Sequence, residues 1–384
     1  MHERYERFED FAARNLKITE RRYGSLRELE SAPPCDAYLS GSDQIWNPKI
    51  FPDGRFDPVF FSRFTAGRKI AYAPSFGVPR IPDGMEDTLR EYLSDFSHLS
   101  AREARGQAIL REITGREAPV VLDPTLLLRQ EDWAALSAQP KQPGGYILCY
   151  CISAPGPLEP YIRRLQEETG LPVVQLCGMR QKVHPKAECV FSAGPAEFLG
   201  LFQRAAYVCT NSFHGTVFSL QFQKPFFTSV SPAELAAPEQ SRIYSLLNRL
   251  GLASRIIGKG DAAEPLEPVD WAAAAARLEE ERRDSLEYLR AALLNQPVPA
   301  QREAASGGGL PELAQRADCT GCTACASICP KDAISMEADR EGFAYPSVDP
   351  EKCIRCGRCT AVCPPLHPPK SCPLPAVFAA WNKD

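Results

Sequence analysis

Eight cysteines near the end of the chain carry the most specific chemistry in the sequence. Cys319, Cys322, Cys325 and Cys329 follow the pattern C-x-x-C-x-x-C-x-x-x-C with Pro330 next, and Cys353, Cys356, Cys359 and Cys363 repeat it with Pro364 next. Three thiolates at three-residue intervals wrap one cuboidal iron–sulfur cluster in a single tight loop, and in doubled runs the fourth cysteine ligates the other cluster. The spacing therefore assigns Cys319, Cys322, Cys325 and Cys363 to a first 4Fe-4S cluster, and Cys353, Cys356, Cys359 and Cys329 to a second. Gly321 and Gly357 let the loop backbone approach the sulfides, and the two prolines fix the turns. Zinc also takes C-x-x-C pairs, but the doubled pattern disfavours it. Cys35, Cys149, Cys151, Cys177, Cys189, Cys209 and Cys372 have no ligand spacing, and most sit in apolar runs as small hydrophobes.

A second constellation is spread over the preceding residues. In open parallel sheets, ligands collect at the carboxyl ends of the strands. Polar residues gather after strand-like runs at Ser40-Gly41-Ser42-Asp43, Pro74-Ser75-Phe76-Gly77, Asp123-Pro124-Thr125 and Asn211-Ser212-Phe213-His214-Gly215. Arg102 and His214 stand where helices open, so free backbone N–H groups there would face a bound phosphate or carboxylate. The bland alternatives are a structural histidine and an exposed Arg102–Glu103 ion pair. No G-x-x-x-x-G-K-[ST] loop or G-x-S-x-G elbow is present. The stretch 258–263 fits G-x-G-x-x-A, but Glu264-Pro265 follows where a helix should open, which disfavours a nicotinamide-binding fold.

The elements that must position these residues follow from periodicity. Strands are expected at 36–40, 68–73, 119–122, 146–151, 172–176, 207–210 and 226–230. Helices are expected at 87–96, 101–113, 158–169, 196–205 and 215–223. Such alternation argues for an α/β fold of parallel sheets covered by helices. The Pro- and Gly-rich stretch 139–145 reads as a hinge between a first half, 1–140, and a second, 141–295, which ends in a long helix over 270–294 with Asp270 as N-cap. Residues 296–313 form a flexible linker, 314–366 the cysteine module, and 367–384 a tail.

The 384 residues carry a net charge of -4, which argues against nucleic acid as a partner. No apolar run approaches the roughly 18 to 20 residues of a membrane span. The charged opening residues have no apolar h-region, and fifteen cysteines in a chain without a leader read as reduced thiols, so a cytoplasmic location is expected.

The cysteine module resembles bacterial two-cluster ferredoxins over residues 315–365. At the strand-end residues the chain resembles the polysaccharide pyruvyl transferase family. The matching words are Leu39-Ser40-Gly41-Ser42-Asp43-Gln44-Ile45-Trp46-Asn47, Tyr72-Ala73-Pro74-Ser75-Phe76-Gly77, Ser100-Ala101-Arg102-Glu103, Leu122-Asp123-Pro124-Thr125, Thr210-Asn211-Ser212-Phe213-His214-Gly215 and Lys224-Pro225-Phe226. The resemblance implies two Rossmann-like halves in a glycosyltransferase-B-like arrangement, phosphoenolpyruvate as donor and a sugar or glycolipid diol as acceptor. Under it His214 is the candidate acid, Arg102 the donor clamp and Asp43 or Asp123 the base. Ser42, Ser75, Asn211, Ser212, Gly215 and Lys224 are expected to contact substrate. Family members open with a βα unit that is expected to be missing here, which would leave the fragment inactive alone. The last residues, Ala376-Val377-Phe378-Ala379-Ala380-Trp381-Asn382-Lys383-Asp384, resemble the entry to the deazaflavin-dependent hydrogenase β-subunit family. Competing readings are an electron-transfer protein, with a redox partner, whose α/β domain only binds an anion or partner, and a glycosyltransferase of the same architecture.

Overall fold

The computed structural model describes residues 2–177, 185–258, 268–298, 310–311, 313–329, 332–340, 342–353 and 358–366. Cys356, Gly357, Pro330, the stretch 259–267, most of the linker and the tail lie outside the described residues. The chain divides into two compact units, residues 1–304 and 305–384.

The first unit begins with α1 (His2–Asn15) and α2 (Leu26–Leu29). Then come β1 (Tyr38–Ser40), β2 (Lys69–Ala71), α3 (Glu86–Ser94), β3 (Phe96–His98), α4 (Ala104–Thr114) and α5 (Gln130–Ala135). Strands β1, β2 and β3 form a parallel sheet in that order. Its core is aromatic: Trp46 stacks on Phe61 and packs against Phe76 and Phe96. The expected strand at 119–122 is present only as an isolated bridge from Val120 to Ala101.

The second half contains β4 (Ile147–Tyr150), α6 (Leu158–Thr169), β5 (Val173–Leu176), β6 (Glu188–Val190), α7 (Pro195–Arg204) and β7 (Tyr207–Thr210). It continues with α8 (Phe213–Gln221), β8 (Phe226–Ser229), α9 (Pro232–Ala236), α10 (Arg242–Arg249), β9 (Ile256–Ile257) and α11 (Trp271–Leu293). Its six parallel strands run β6-β5-β4-β7-β8-β9. Numbered within the half, this is the order 3-2-1-4-5-6 of a doubly wound Rossmann sheet, whose direction reverses between β4 and β7. Strands covered by helices on both faces need apolar side chains on both sides, and β5 and β8 are buried at every position. Helix α6 buries Leu158, Tyr161, Ile162 and Leu165, the i, i+3, i+4, i+7 stripe of an amphipathic helix.

The two halves are tied together more closely than a hinge at 139–145 implies. Leu122 and Leu126 of the first half belong to the core around Tyr146, Phe202 and Phe226. Helix α11, capped by Asp270 as expected, returns to the first sheet, where Tyr288 donates to the Ala71 carbonyl at 2.7 Å. The Leu122 N–H donates to Ser285 Oγ at 2.9 Å.

In the second unit, α12 (Ala324–Ser327) and α13 (Arg358–Ala361) flank an antiparallel hairpin of β10 (Ile334–Ala338) and β11 (Ala344–Val348). Its small core joins Cys325, Ile334 and Cys359, with Cys329, Met336 and Val348 against them. Among the described residues no helix is long and apolar enough to cross a membrane.

Candidate functional site

Loops leaving the strand ends of both halves converge on Arg102. Gly41 has φ of +137°, and a Cβ there would stand 1.9 Å from the Tyr72 carbonyl oxygen, so only glycine lets the loop cross β2. Beyond it, Asp43 and Pro74 form a bridge, and the Ser75 N–H donates to the Asp43 carbonyl at 2.8 Å. The Arg102 N–H in turn donates to the Pro74 carbonyl at 3.2 Å.

Arg102 is almost wholly buried, with 1% of its side chain exposed. Its guanidinium donates to Asp123 Oδ2 at 2.9 Å and to Asp43 Oδ1 at 3.1 Å. It also lies over the Phe213 ring, 4.5 Å from the centroid. Glu103 is buried beside it and accepts from Ser75 Oγ at 3.0 Å. Burial rules out the exposed Arg102–Glu103 pair. It also argues against Arg102 as a free donor clamp, because two carboxylates already occupy its terminal nitrogens. Arg102 Nε and Glu103 Oε2 are buried without a hydrogen-bond partner and stand 3.9 Å apart.

The two aspartates differ in access. Asp123 is 2% exposed and accepts from Ser42 Oγ, Thr125 Oγ1 and the Thr125 N–H at 3.2, 2.6 and 3.1 Å. Burial alone would raise its carboxyl, but His214 and Arg102 outweigh burial and hold it well below the usual carboxylate range. Asp43 is 60% exposed. What burial it has pushes its carboxyl up, and the charges of Arg102 and His214 pull it below its ordinary value. Burial raises Glu103 against the pull of Arg102.

His214 arrives from the second half on the first turn of α8. Its Nε2 lies 3.8 Å from Asp123 Oδ2, a charge contact longer than a hydrogen bond, and its side chain is 35% exposed. Gly215 lies against β7, where a Cβ would meet Thr210 Oγ1 at 2.1 Å. The structure thus brings Ser42, Asp43, Ser75, Arg102, Asp123 and His214 together.

The other expected contacts have different work. Ser212 is the buried N-cap of α8 and accepts the Gly215 N–H at 3.3 Å, so that donor is not free for an anion. The Ala104 N–H at the start of α4 likewise donates to Ser245 Oγ at 3.3 Å. Asn211 braces the loop after β4: its Oδ1 accepts from the Ile152 N–H at 2.8 Å and its Nδ2 donates to Ser153 Oγ at 2.9 Å. Lys224 lies in the turn entering β8, at the far end of α8 from His214, roughly two helical turns away.

Arg242 is the residue that sequence reasoning missed. It opens α10, is half-buried, and places its guanidinium 5.9 Å from the Phe213 centroid, on the ring that Arg102 also touches. With the Gln44 amide oxygen turned toward it, Arg242 donates to Gln44 at 3.2 Å. Burial and the neighbouring Arg102 charge both lower its pKa from the ordinary arginine value.

In the second unit, Cys319, Cys322, Cys325 and Cys363 line one small cavity. That is three thiols of the first repeat and the fourth of the second, the crossed set that the spacing implies. An all-thiol donor set around a shared cavity fits a 4Fe-4S cluster, in which each iron takes its own thiolate. For the second set, Cys329 and Cys359 share the apolar core, and the Ala333 N–H donates to Cys329 Sγ at 3.3 Å. The backbone N–H of Ala324 lowers the Cys322 thiol, whereas burial raises that of Cys325.

Comparison with known proteins gives the following. The family model described as polysaccharide pyruvyl transferase matches residues 2–231, and that of the 4Fe-4S dicluster domain matches residues 318–365. One component of the Na(+)-translocating ferredoxin:NAD(+) oxidoreductase complex of Acetobacterium woodii is 45% identical over 49 residues, 13% of this chain and 14% of that protein. Among solved structures, UDP-GlcNAc 2-epimerase of Methanocaldococcus jannaschii is 15% identical, with a TM-score of 0.33, over 57% of this chain and 70% of that one. The spinosyn forosaminyltransferase is 13% identical, with a TM-score of 0.29, over 66% of this chain and 72% of that one.

Proposed function

Because the chain belongs to the polysaccharide pyruvyl transferase family, we propose that it moves the pyruvyl group of phosphoenolpyruvate onto two hydroxyls of a sugar, forming a cyclic ketal and releasing phosphate. The observation that best supports this reading is the meeting of both halves at one point. Asp43, Arg102 and Asp123 come from the first half, and His214 and Arg242 from the second.

The donor's enol ether carbon becomes electrophilic when the adjacent methylene takes up a proton. His214, partly exposed and backed by Asp123, supplies it. One sugar hydroxyl adds to that carbon, the carbon–oxygen bond to phosphate breaks, and the second hydroxyl closes the ketal. Of the two hydroxyl protons, one leaves through Asp43 to the departing phosphate and the other restores His214. Asp43 is preferred over Asp123 as acceptor because Asp123 is buried and already accepts four hydrogen bonds. Arg242 takes the donor's phosphate or carboxylate, while Arg102 holds the two aspartates in place.

The eight cysteines of the second unit would hold two 4Fe-4S clusters, which when bound supply one-electron transfer. Pyruvyl transfer moves no net electrons, so the clusters serve exchange with a redox partner and not the ketal-forming step. Calorimetric titration separates the pyruvyl reading from a glycosyltransferase: phosphoenolpyruvate should bind and Arg242→Ala should weaken it, whereas binding of a nucleotide sugar in its place would replace the reading.

A further inference from the structure

Glu103 is a buried carboxylate to which the ketal chemistry above gives no task. Its Oε1 accepts from Ser75 Oγ at 3.0 Å, whereas Oε2 is buried without a hydrogen-bond partner. An unsatisfied buried acceptor costs stability, and more so when it carries charge. Arg102 does not satisfy it. The Arg102 Nε stands 3.9 Å off, beyond hydrogen-bond reach, and the terminal nitrogens are taken by Asp43 and Asp123.

The second arginine of the site comes to the same place from the other half. The Ala104 N–H, directly after Glu103, donates to Ser245 Oγ of α10 at 3.3 Å. Ser245 stands three residues beyond Arg242, on the same helix face. One hydrogen bond thus joins the neighbour of Glu103 to the turn that carries Arg242. Both guanidinium groups lie over the Phe213 ring, Arg102 at 4.5 Å from the centroid and Arg242 at 5.9 Å. Burial and the Arg102 charge lower the Arg242 pKa, and of the charges that oppose them Glu103 comes first, ahead of Asp43 and Glu234. Gln44 holds another edge of the Arg242 guanidinium at 3.2 Å.

Two guanidinium groups on one ring repel each other, and Arg242 has a long side chain whose freedom a ligand would otherwise have to remove on binding. We infer that Glu103 is a positioning residue for the donor: through its unpartnered oxygen it draws Arg242 inward, so that the guanidinium already faces the donor's anionic group. Glu103 acts through Arg242 and is itself too enclosed to touch the donor. That Arg242 meets the donor rests on the pyruvyl transfer reading, whereas the hold of Glu103 on Arg242 does not.

The test has two arms, both on the full chain. In the first, scanning calorimetry without ligand compares wild type, Glu103→Gln, Arg242→Ala and the double variant. Glu103→Gln keeps the side chain's shape and an oxygen for Ser75 but removes the charge. The double variant should melt roughly 2 to 4 °C above the value obtained by summing the two single shifts. In the second arm the same proteins are titrated calorimetrically with phosphoenolpyruvate. Glu103→Gln should weaken binding about two- to tenfold, and should make no further difference once Arg242 is alanine. The sign separates positioning from a plain field effect, since deleting a negative charge near an anion site would by itself tighten binding. Glu103→Asp keeps the charge but withdraws it by one methylene, and should weaken the donor as the glutamine variant does. It serves both arms if Glu103→Gln does not fold. Additive melting shifts, or donor binding at least as tight as wild type in either variant, would overturn the inference. Coupled melting in a protein that binds no phosphoenolpyruvate would keep the hold of Glu103 on Arg242 and sink the pyruvyl reading.

Discussion

Replacing Arg102 by methionine should unfold the first unit more readily before it affects donor binding. The side chain is almost wholly buried, and so is its partner Asp123, at 2.9 Å. Removing one member of a buried ion pair leaves an uncompensated charge, which costs about 3 to 5 kcal/mol. The hydrogen bonds from Ser42 and Thr125 keep Asp123 partly solvated by the protein, which places the expected cost at the lower end, about 3 kcal/mol. At about 2 to 4 °C per kcal/mol for a domain of this size, the melting temperature should fall by roughly 6 to 12 °C. Asp43 supplies an internal control, since it binds the same guanidinium from an exposed position. Asp43→Asn should cost under about 1 kcal/mol. The double variant Arg102→Met/Asp123→Asn should recover much of the loss, because no buried charge is left alone. Differential scanning calorimetry of the four proteins measures these differences. If Arg102→Met melted with wild type and only raised the KM for phosphoenolpyruvate, the guanidinium would be a donor clamp and the structural argument would fail.

Anaerobically prepared protein should contain about eight irons per chain and show a broad visible absorption that dithionite bleaches; Cys329→Ala should disturb the cluster of the second repeat, and stoichiometric zinc without iron would refute the assignment. His214→Ala should lower turnover by roughly a hundred- to ten-thousandfold with an unchanged melting temperature, and equal activity would remove it from the chemistry. Acid should destabilise the first unit through Asp123. Its folded-state pKa lies below the unfolded value of 3.8, so its stabilisation is present above that pH and is lost as pH falls toward the lower folded value. Asp123→Asn should flatten the acid limb of the melting curve, and an unchanged limb would count against the Arg102–Asp123 pairing.

The cysteine repeat was legible because iron–sulfur ligation fixes both residue type and spacing, and Cys319, Cys322, Cys325 and Cys363 line one cavity. Asp43, Asp123 and His214 were legible because each follows a strand-like run, which is where parallel sheets assemble sites, and Arg102 because it stands where a helix opens. Side-chain direction was not. Ser212 and Asn211 sit beside His214 in sequence, yet one caps α8 and the other braces the loop after β4. A serine directly before a helix is itself an N-cap signal, and Ser212 caps α8 in that way. Arg242 lies in an ordinary Ser-Arg-Ile-Tyr-Ser run, and only the tertiary approach of α10 to Phe213 and Gln44 marks it. Strands β3, β6 and β9 escaped notice because they are two or three residues long and mostly lack an apolar run.

The central claim is tested most directly by the product. The protein is incubated with phosphoenolpyruvate carrying carbon-13 at its second carbon, together with alkyl glycosides bearing neighbouring free hydroxyls, and the mixture is followed by nuclear magnetic resonance. The account predicts phosphate release that depends on the glycoside, matched mole for mole by a new ketal carbon attached to the sugar, with both signals lost in His214→Ala. Phosphate release that leaves only free pyruvate, or transfer of a sugar from a nucleotide donor with phosphoenolpyruvate untouched, would contradict it.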